Sequence, residues 1–367
     1  MPLGAELRFL DRTKVLYEGR AYVFFGGTDY HRLASHPEVV RAFQEAARVE
    51  GLSCAGSRVT TGNHPLLVQL EERIAGFLGT ADAALCAAGY LANTVAVESV
   101  NGDYQRFFVD TGVHASLATP AEGLPRDRVH TFRDADPEDL ARSLKAHLKA
   151  GEKPLVLTDG VVSGDGFMPP LRDYWDLVRD QGGALLVDDS HGVGVVGAGG
   201  KGSPDQAGLP AEAYVQTGTL AKALGVFGGL VAGRPGLKDR VLVRSRAFVG
   251  ATPIPPPAAA AALRSIAILR EHPNLVTGLQ ARMLRIREQV AALGFPASAS
   301  PAPILSITHR DEAKNQRLAA ILLQSEIYPT FINYPGCPPG GHFRFTFSSA
   351  HADEEVERLI HCIASSC

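Results

Sequence analysis

Ala184-Leu-Leu-Val-Asp188-Asp-Ser-His191-Gly192 decides how this chain folds. An apolar run that ends abruptly in acid suits a strand buried on both faces of a parallel sheet. Such sheets bind their ligands just beyond the carboxyl ends of their strands. Pro154-Leu-Val-Leu-Thr158 repeats the pattern, as does Arg106 to Val109 with Asp110 at its end. A short strand is also expected at Tyr22–Phe25 and another at Ala83–Cys86. Between them the period changes. Pro37 to Val49 carries Val39, Val40, Phe43 and Ala47 at helical spacing behind a first-turn Pro, and Pro65 to Leu78 carries Leu66, Leu70, Ile74 and Leu78 on one stripe. Tyr90 toward Val100 and Leu140 to Lys149 read as further helices. Strand and helix in alternation predict an α/β fold around a mostly parallel sheet.

The C-terminal third reads differently. Pro253 to Pro257 is too rich in proline for an element interior. Ala258–Glu271 and Asn274–Leu293 follow as long helices. Ile304–Thr308, Ile327-Tyr-Pro329 and Phe343–Phe347 alternate like strands of a small sheet, and Glu354–Ala364 closes the chain as a helix. The expected division is an N-terminal segment over 1–45, a large domain over 46–245 and a smaller α+β domain over 246–367.

Composition narrows the class. With 367 residues, 45% of them hydrophobic, the chain can bury a large core. A net charge of -3 gives no basic footprint for nucleic acid. No apolar run is long enough to span a bilayer, and the first residues lack the apolar stretch of a signal peptide. Five cysteines, at 54, 86, 337, 362 and 367, form no CxxC pair, and their odd number argues against a disulfide framework. These features lead us to expect a soluble cytoplasmic protein.

The chemistry centres on Lys222, in Thr217-Gly-Thr219-Leu-Ala-Lys222-Ala-Leu-Gly225. A single Lys is ordinarily a solvated surface charge. This one has small and apolar neighbours, and no other charge falls between Tyr214 and Arg234. A buried amine downstream of a strand ending in Asp is what pyridoxal phosphate chemistry needs. The Lys supplies the Schiff base, and the Asp pairs with the pyridinium nitrogen so that the ring can draw electrons. Asp188 is well placed for the second role, with Asp189 as the competing candidate. His114, after the strand that ends at Asp110, is a candidate to stack on the ring. Gly89 and Tyr90 open a helix whose N–H groups and dipole favour a phosphate, and Thr219 adds a hydroxyl. His191 could hydrogen-bond the ring hydroxyl or a substrate carboxyl. Two other motifs do not hold. Gly192-Val-Gly194-Val-Val-Gly197 fits GxGxxG but runs into Ala-Gly-Gly rather than a helix. Gly199-Gly-Lys201-Gly lacks the spacing of a phosphate loop, and the scattered histidines form no close metal cluster.

As a set, these residues resemble the α-oxoamine synthases, which are aspartate-aminotransferase-like (fold type I) pyridoxal phosphate enzymes, over nearly the whole chain. Val187-Asp-Asp-Ser-His191-Gly and Thr219-Leu-Ala-Lys222 are the most specific matches. Asp29-Tyr30, Gly56-Ser-Arg58 with Leu70-Glu71, Gly89-Tyr-Leu-Ala-Asn93, His114-Ala-Ser116 and Asp159-Gly-Val-Val-Ser163 are similar to further family motifs. The resemblance implies that Ser163 contacts the cofactor and that Arg344 holds the amino-acid carboxylate. It implies that the segment around Thr252 reaches the cofactor phosphate of a neighbouring subunit in a homodimer. It also implies a reaction: Lys222 removes the α-proton of glycine, alanine or serine, the carbanion attacks an acyl thioester of CoA or an acyl-carrier protein, and carbon dioxide usually leaves. His114 and His191 would position the carboxylate and the acyl carbonyl.

Thr28, His31, Arg32, Leu67, Gly336 and His342 depart from the family pattern, at places where the acyl chain or its carrier is expected to enter. Two other functions remain open on the same scaffold. One is an aminotransferase, decarboxylase or aldol-type enzyme that uses no thioester. The other is a non-catalytic relative, against which the intact Lys and Asp argue.

Overall fold

The computed structural model describes residues 4–333 and 340–367. Its centre is a seven-stranded sheet built from β4 (Asp82–Cys86), β5 (Arg106–Asp110), β6 (Val129–Phe132), β7 (Pro154–Asp159), β8 (Ala184–Asp188), β9 (Tyr214–Thr219) and β10 (Gly229–Gly233), preceded in the chain by β1 (Arg8–Phe9), β2 (Lys14–Tyr17) and β3 (Arg20–Val23). The spatial order is β4-β10-β9-β8-β7-β5-β6. Strands β5 to β9 run parallel, while β10 runs antiparallel between β4 and β9. Asp159 and Asp188 are register partners at the ends of β7 and β8, and Asp188 partners Thr217 of β9. The parallel register therefore gathers three chain segments, far apart in sequence, at one edge.

Burial explains the apolar runs. Leu155, Val156, Leu157, Leu185, Leu186 and Val187 are all fully buried. Helices cover both faces, as a parallel sheet requires. The helices Gly89–Val100 and Leu237–Arg244 pack on one side, and Leu171–Val178 with Pro137–His147 on another. Two expected helices extend by a residue or two, beginning at Gly89 and Pro256.

A second, smaller sheet forms in the C-terminal part, where β11 (Ile304–Ile307), β13 (His342–Thr346) and β12 (Phe331–Ile332) run antiparallel in that order. Helices Asn274–Ala292, Glu312–Gln324 and Asp353–Ala364 close one core with Phe343, Phe345 and Phe347. The expected strand at Ile327 is only a single bridge to Val23, because Pro329 offers no N–H to a ladder; pairing resumes at Phe331.

The helix Pro256–Glu271 packs against Pro37–Glu50 and Pro65–Leu78, and all three share a core with β4 and β10. It thus sits with the large sheet, although a boundary at 246 places it in the smaller domain. The N-terminal strands instead pack their Tyr22 and Phe24 near Leu323 and Tyr328 of the C-terminal part. No described helix is long and apolar enough to cross a membrane. Among the described residues no group of His, Cys, Asp and Glu could hold a metal ion, and Cys54, Cys86, Cys362 and Cys367 are unpaired.

Candidate active site

Lys222 stands in the loop that joins β9 to β10, half-buried beneath the edge of the sheet. Among the described residues its Nζ makes no hydrogen bond or ion pair. Burial pulls its pKa down to about 8, against the attraction of the Asp188 carboxylate, while the Arg344 guanidinium pushes the same way as burial. A neutral amine is therefore within reach near neutral pH, the state a nucleophile or base needs.

Asp188 ends β8 with both carboxylate oxygens held. Oδ2 accepts from Asn93 Nδ2 at 2.6 Å and from Ser116 Oγ at 3.4 Å, and Oδ1 accepts from Ser190 N at 3.1 Å. Asn93 is itself fixed, because its Oδ1 accepts from Thr217 Oγ1 at 2.5 Å. The adjacent Asp189 turns the other way. Its Oδ2 accepts from Ser203 N at 2.9 Å and Gln216 Nε2 at 2.7 Å, and burial raises its pKa to about 7. The GxGxxG segment and the glycines after it wrap this carboxyl group: a Cβ at Gly192 or at Gly202 would collide with it. Of the two candidates, only Asp188 shares hydrogen-bond partners with the helix Gly89–Val100.

His191 is half-buried, and its Nδ1 shares a 2.6 Å hydrogen bond with Tyr30 Oη. Burial, then the charges of Lys222, Arg344 and His114, hold its pKa well below the usual histidine value. Tyr30 is completely buried, and its pKa is pushed up to about 12 by burial, so its hydroxyl keeps its proton. His114 is exposed at the N-cap of the helix Ala115–Glu122, with Nδ1 2.8 Å from Ser116 Oγ and its ring near Tyr90. Its backbone N–H donates to Asp159 at 3.1 Å. Asp159 itself is raised well above the usual carboxylate range, first by burial and then by its register partner Asp188.

Arg344 is 8% exposed on β13. Its Nε donates to the Ser163 carbonyl at 2.6 Å and its Nη1 to Thr346 Oγ1 at 3.2 Å. Ser163, expected to meet a cofactor, thus also orients the arginine through its backbone.

The helix Gly89–Val100 begins at Ala88 without a side-chain cap, which leaves first-turn N–H groups available to an anion. Thr219 packs so closely that a Cβ at Gly89 would stand 2.6 Å from Thr219 Cβ, and Thr219 Oγ1 donates to Gly228 O at 2.9 Å. A bare helix N-terminus with a hydroxyl beside it, a free half-buried amine and a carboxylate held by neutral donors fit the phosphate, aldehyde and ring nitrogen of pyridoxal phosphate. Thr252 lies apart from this set, exposed beside Arg58 and Leu91.

The departures separate in space. His31 is fully buried between Gly194 O at 2.7 Å and Ser349 Oγ at 3.1 Å, and burial lowers its pKa to about 4. Arg32 is 4% exposed, donates to Phe24 O and Gly26 O, and lies over the Phe24 ring. Leu67 is a core residue, and nearby His64 caps its helix by accepting from Leu66 N. Three of the departures are therefore packing and turn residues rather than an entrance. Thr28 is half-buried. Gly336 lies outside the described residues, and His342 lines a cleft beside the C-terminal sheet. The Arg58 and Glu71 motif is also structural: the two side chains form a bidentate pair at 2.7 and 2.9 Å, and Glu71 Oε1 accepts from Leu85 N of β4.

Sequence reasoning quoted Tyr30, Asn93 and Ser116 within motifs but gave them no role. Their partners are long-range, with Tyr30 and His191 separated by 161 positions and Asn93 and Asp188 by 95, so no local pattern could reveal them.

Comparison with known proteins finds relatives over nearly the whole chain. The aminotransferase class I and II family model matches residues 23–363. The 8-amino-7-oxononanoate synthase of Methylococcus capsulatus is 36% identical over 358 residues, which cover 96% of this chain and 91% of that protein. The serine palmitoyltransferase of Sphingomonas wittichii superposes with a TM-score of 0.89 at 27% identity, over 97% of this chain and 90% of that one. The 8-amino-7-oxononanoate synthase of Francisella tularensis shares the fold, with a TM-score of 0.78 at 21% identity over 94% of this chain and 97% of that one.

Proposed function

Because this chain belongs to the aminotransferase class I and II family, among its α-oxoamine synthases, we propose that the residues around Lys222 are its catalytic site. The enzyme is a pyridoxal phosphate-dependent acyltransferase that condenses an amino acid with an acyl thioester. The observation that carries the site assignment is the meeting of Asp188, His191 and Arg344 around Lys222, from three segments of the chain, each within electrostatic reach of that amine.

Gly89, Tyr90 and Thr219 would hold the phosphate of the cofactor, and Asp188 its ring nitrogen. When bound, the cofactor supplies an electron sink for the electrons left behind when the amino acid loses its α-proton. Arg344, aimed by Ser163 O and Thr346, receives the amino-acid carboxylate as a fork receives a planar anion. Lys222 Nζ, neutral once its proton is shed near pH 8, takes the α-proton. His191, held by Tyr30, donates or accepts at one fixed point. His114 has Nδ1 engaged with Ser116, which leaves Nε2 for the acyl carbonyl. A carbon–carbon bond forms between the α-carbon and the acyl carbon, the carbon–sulfur bond breaks, and the thiol departs. Loss of the carboxylate as carbon dioxide leaves an amino ketone.

The 36% identical relative is named for 8-amino-7-oxononanoate, an amino ketone of this kind, and its kinship favours that product here. Apolar side chains left exposed at Tyr90, Leu91 and Phe227, in the helix start at Gly89 and in the loop that carries Lys222, support a homodimer with Thr252 serving the partner's site. The test is to supply amino acids and acyl thioesters to the purified holoenzyme and to measure thiol release and product mass. Release of thiol together with an amino ketone supports the reading. A keto acid or aldehyde formed with no thiol released would move the chain to the aminotransferase or decarboxylase reading.

A further inference from the structure

A cleft of about 1050 Å³ opens between the loop after β7 and the C-terminal sheet without including Lys222. Its floor is apolar, with Phe167, Leu293, Phe295 and Leu305. Its rim carries two exposed cations: Arg310 makes no ion pair among the described residues, while Lys314 Nζ donates to Cys367 O at 2.5 Å. The acidic side chain on the wall, Asp165, has its Oδ1 occupied by Phe167 N at 2.9 Å.

The inner wall holds two buried polar side chains whose hydrogen bonding is incomplete. His342, 3% exposed, shares a 3.0 Å hydrogen bond with Ser306 Oγ through Nδ1, while Nε2 has no partner among the described residues. Arg287, 5% exposed, donates through Nη2 to Ala302 O and Ile304 O, and its Nε has no partner. Buried polar groups in native structures are nearly always satisfied, so two such atoms behind one cleft call for an explanation. An apolar floor, a basic rim and a polar inner wall suit an unbranched chain that carries an anionic head.

The same wall touches the amino-acid pocket. His342 and Arg344 lie on one face of β13, two residues apart. Gly164 meets the His342 ring, where a Cβ would stand 3.9 Å from Cε1, and the preceding Ser163 carbonyl holds Arg344 Nε. We propose that this cleft is a second ligand site for an amphipathic anion, an alkyl chain ending in carboxylate or phosphate, and that its occupancy shifts the affinity for the amino acid by moving the Ser163–Arg344 contact. The coupling half rests on the assignment of Arg344 to the amino-acid carboxylate; the binding half does not.

Calorimetry on the holoenzyme with octanoate, and separately with octyl phosphate, tests binding in the absence of any amino acid and tells the two head groups apart. At least one probe is expected to bind. The double variant Arg310→Ala, Lys314→Ala should weaken it by roughly tenfold or more, the worth of one or two charge-assisted contacts. Both residues are exposed, so folding is not at stake. Failure of both probes to bind, or unchanged binding by the double variant, overturns the site. The amino-acid dissociation constant, read from the visible spectrum with and without probe, should change for the native protein and stay fixed for the double variant, since coupling is reciprocal. A bound probe that leaves that constant unmoved overturns the coupling.

Discussion

Asn93 Nδ2 donates to Asp188 Oδ2 across 2.6 Å and so ties the first turns of the helix Gly89–Val100 to the end of β8. The phosphate end and the ring-nitrogen end of the candidate cofactor site are joined by this one amide. In Asn93→Ala, Asp188 Oδ2 keeps only the 3.4 Å contact from Ser116, and the Thr217 hydroxyl is left with the Val187 carbonyl at 3.3 Å. Cofactor affinity should fall roughly ten- to a hundredfold, the worth of a hydrogen bond to a charged group. Titration of the cofactor-free variant with pyridoxal phosphate measures it, and an affinity equal to the native one would remove Asn93 from the site.

Tyr30 and His191 form the second such link. Tyr30→Phe keeps the ring in its fully buried place but deprives His191 Nδ1 of its partner. A fall in kcat/KM of about ten- to a hundredfold is expected, the worth of leaving the His191 nitrogen without its hydrogen-bond partner. The melting temperature should stay near native. A variant with native kcat/KM shows that the hydroxyl does nothing for catalysis; one that melts early shows a packing role instead.

Much of this was legible in the sequence because the strands that carry the site are buried on both faces. Val187 and Leu157 announce β8 and β7 by being apolar on every position, and Asp188 marks where the strand stops. The neighbouring β9 and β10 were not legible. Tyr-Val-Gln-Thr-Gly-Thr and Gly-Leu-Val-Ala-Gly carry glycines that weaken a strand signal, yet Gly229 is needed because a Cβ there would strike the Ala88 carbonyl at the helix entry. His31 shows the converse failure. As a departure from the family pattern it invited a reading as part of the acyl entrance, and only its buried bonds to Gly194 and Ser349 reveal a packing role.

The Arg58–Glu71 pair predicts a stability effect with little direct effect on chemistry. Both side chains are buried, and Glu71 also meets Lys238 Nζ at 2.7 Å. Glu71→Ala leaves the Arg58 charge buried without its carboxylate. Loss of one partner from a buried pair costs about 3–5 kcal/mol. Chemical denaturation should show a loss of that order, and an unchanged midpoint would mean that water already reaches Arg58.

Lys222 offers the sharpest prediction, because its sign can be worked out in two steps. An ordinary lysine amine loses its proton at about 10.4. Burial depresses the Lys222 value to about 8, so between these values this amine is neutral while exposed lysines remain charged. In the cofactor-free protein, trinitrobenzenesulfonate, which attacks only the neutral amine, should label Lys222 with a rate that rises with pH to a midpoint near 8, read by peptide mapping. Asp188 holds the proton on through its negative charge. Asp188→Asn should therefore move the midpoint lower, toward neutrality, and speed labelling at neutral pH. The Arg344 guanidinium acts in the opposite sense, so Arg344→Gln should move it higher. A native midpoint in the ordinary lysine range, or shifts of the reverse sign in the two variants, would mean that Lys222 does not sit within the field of these two residues and is not the buried amine of the site.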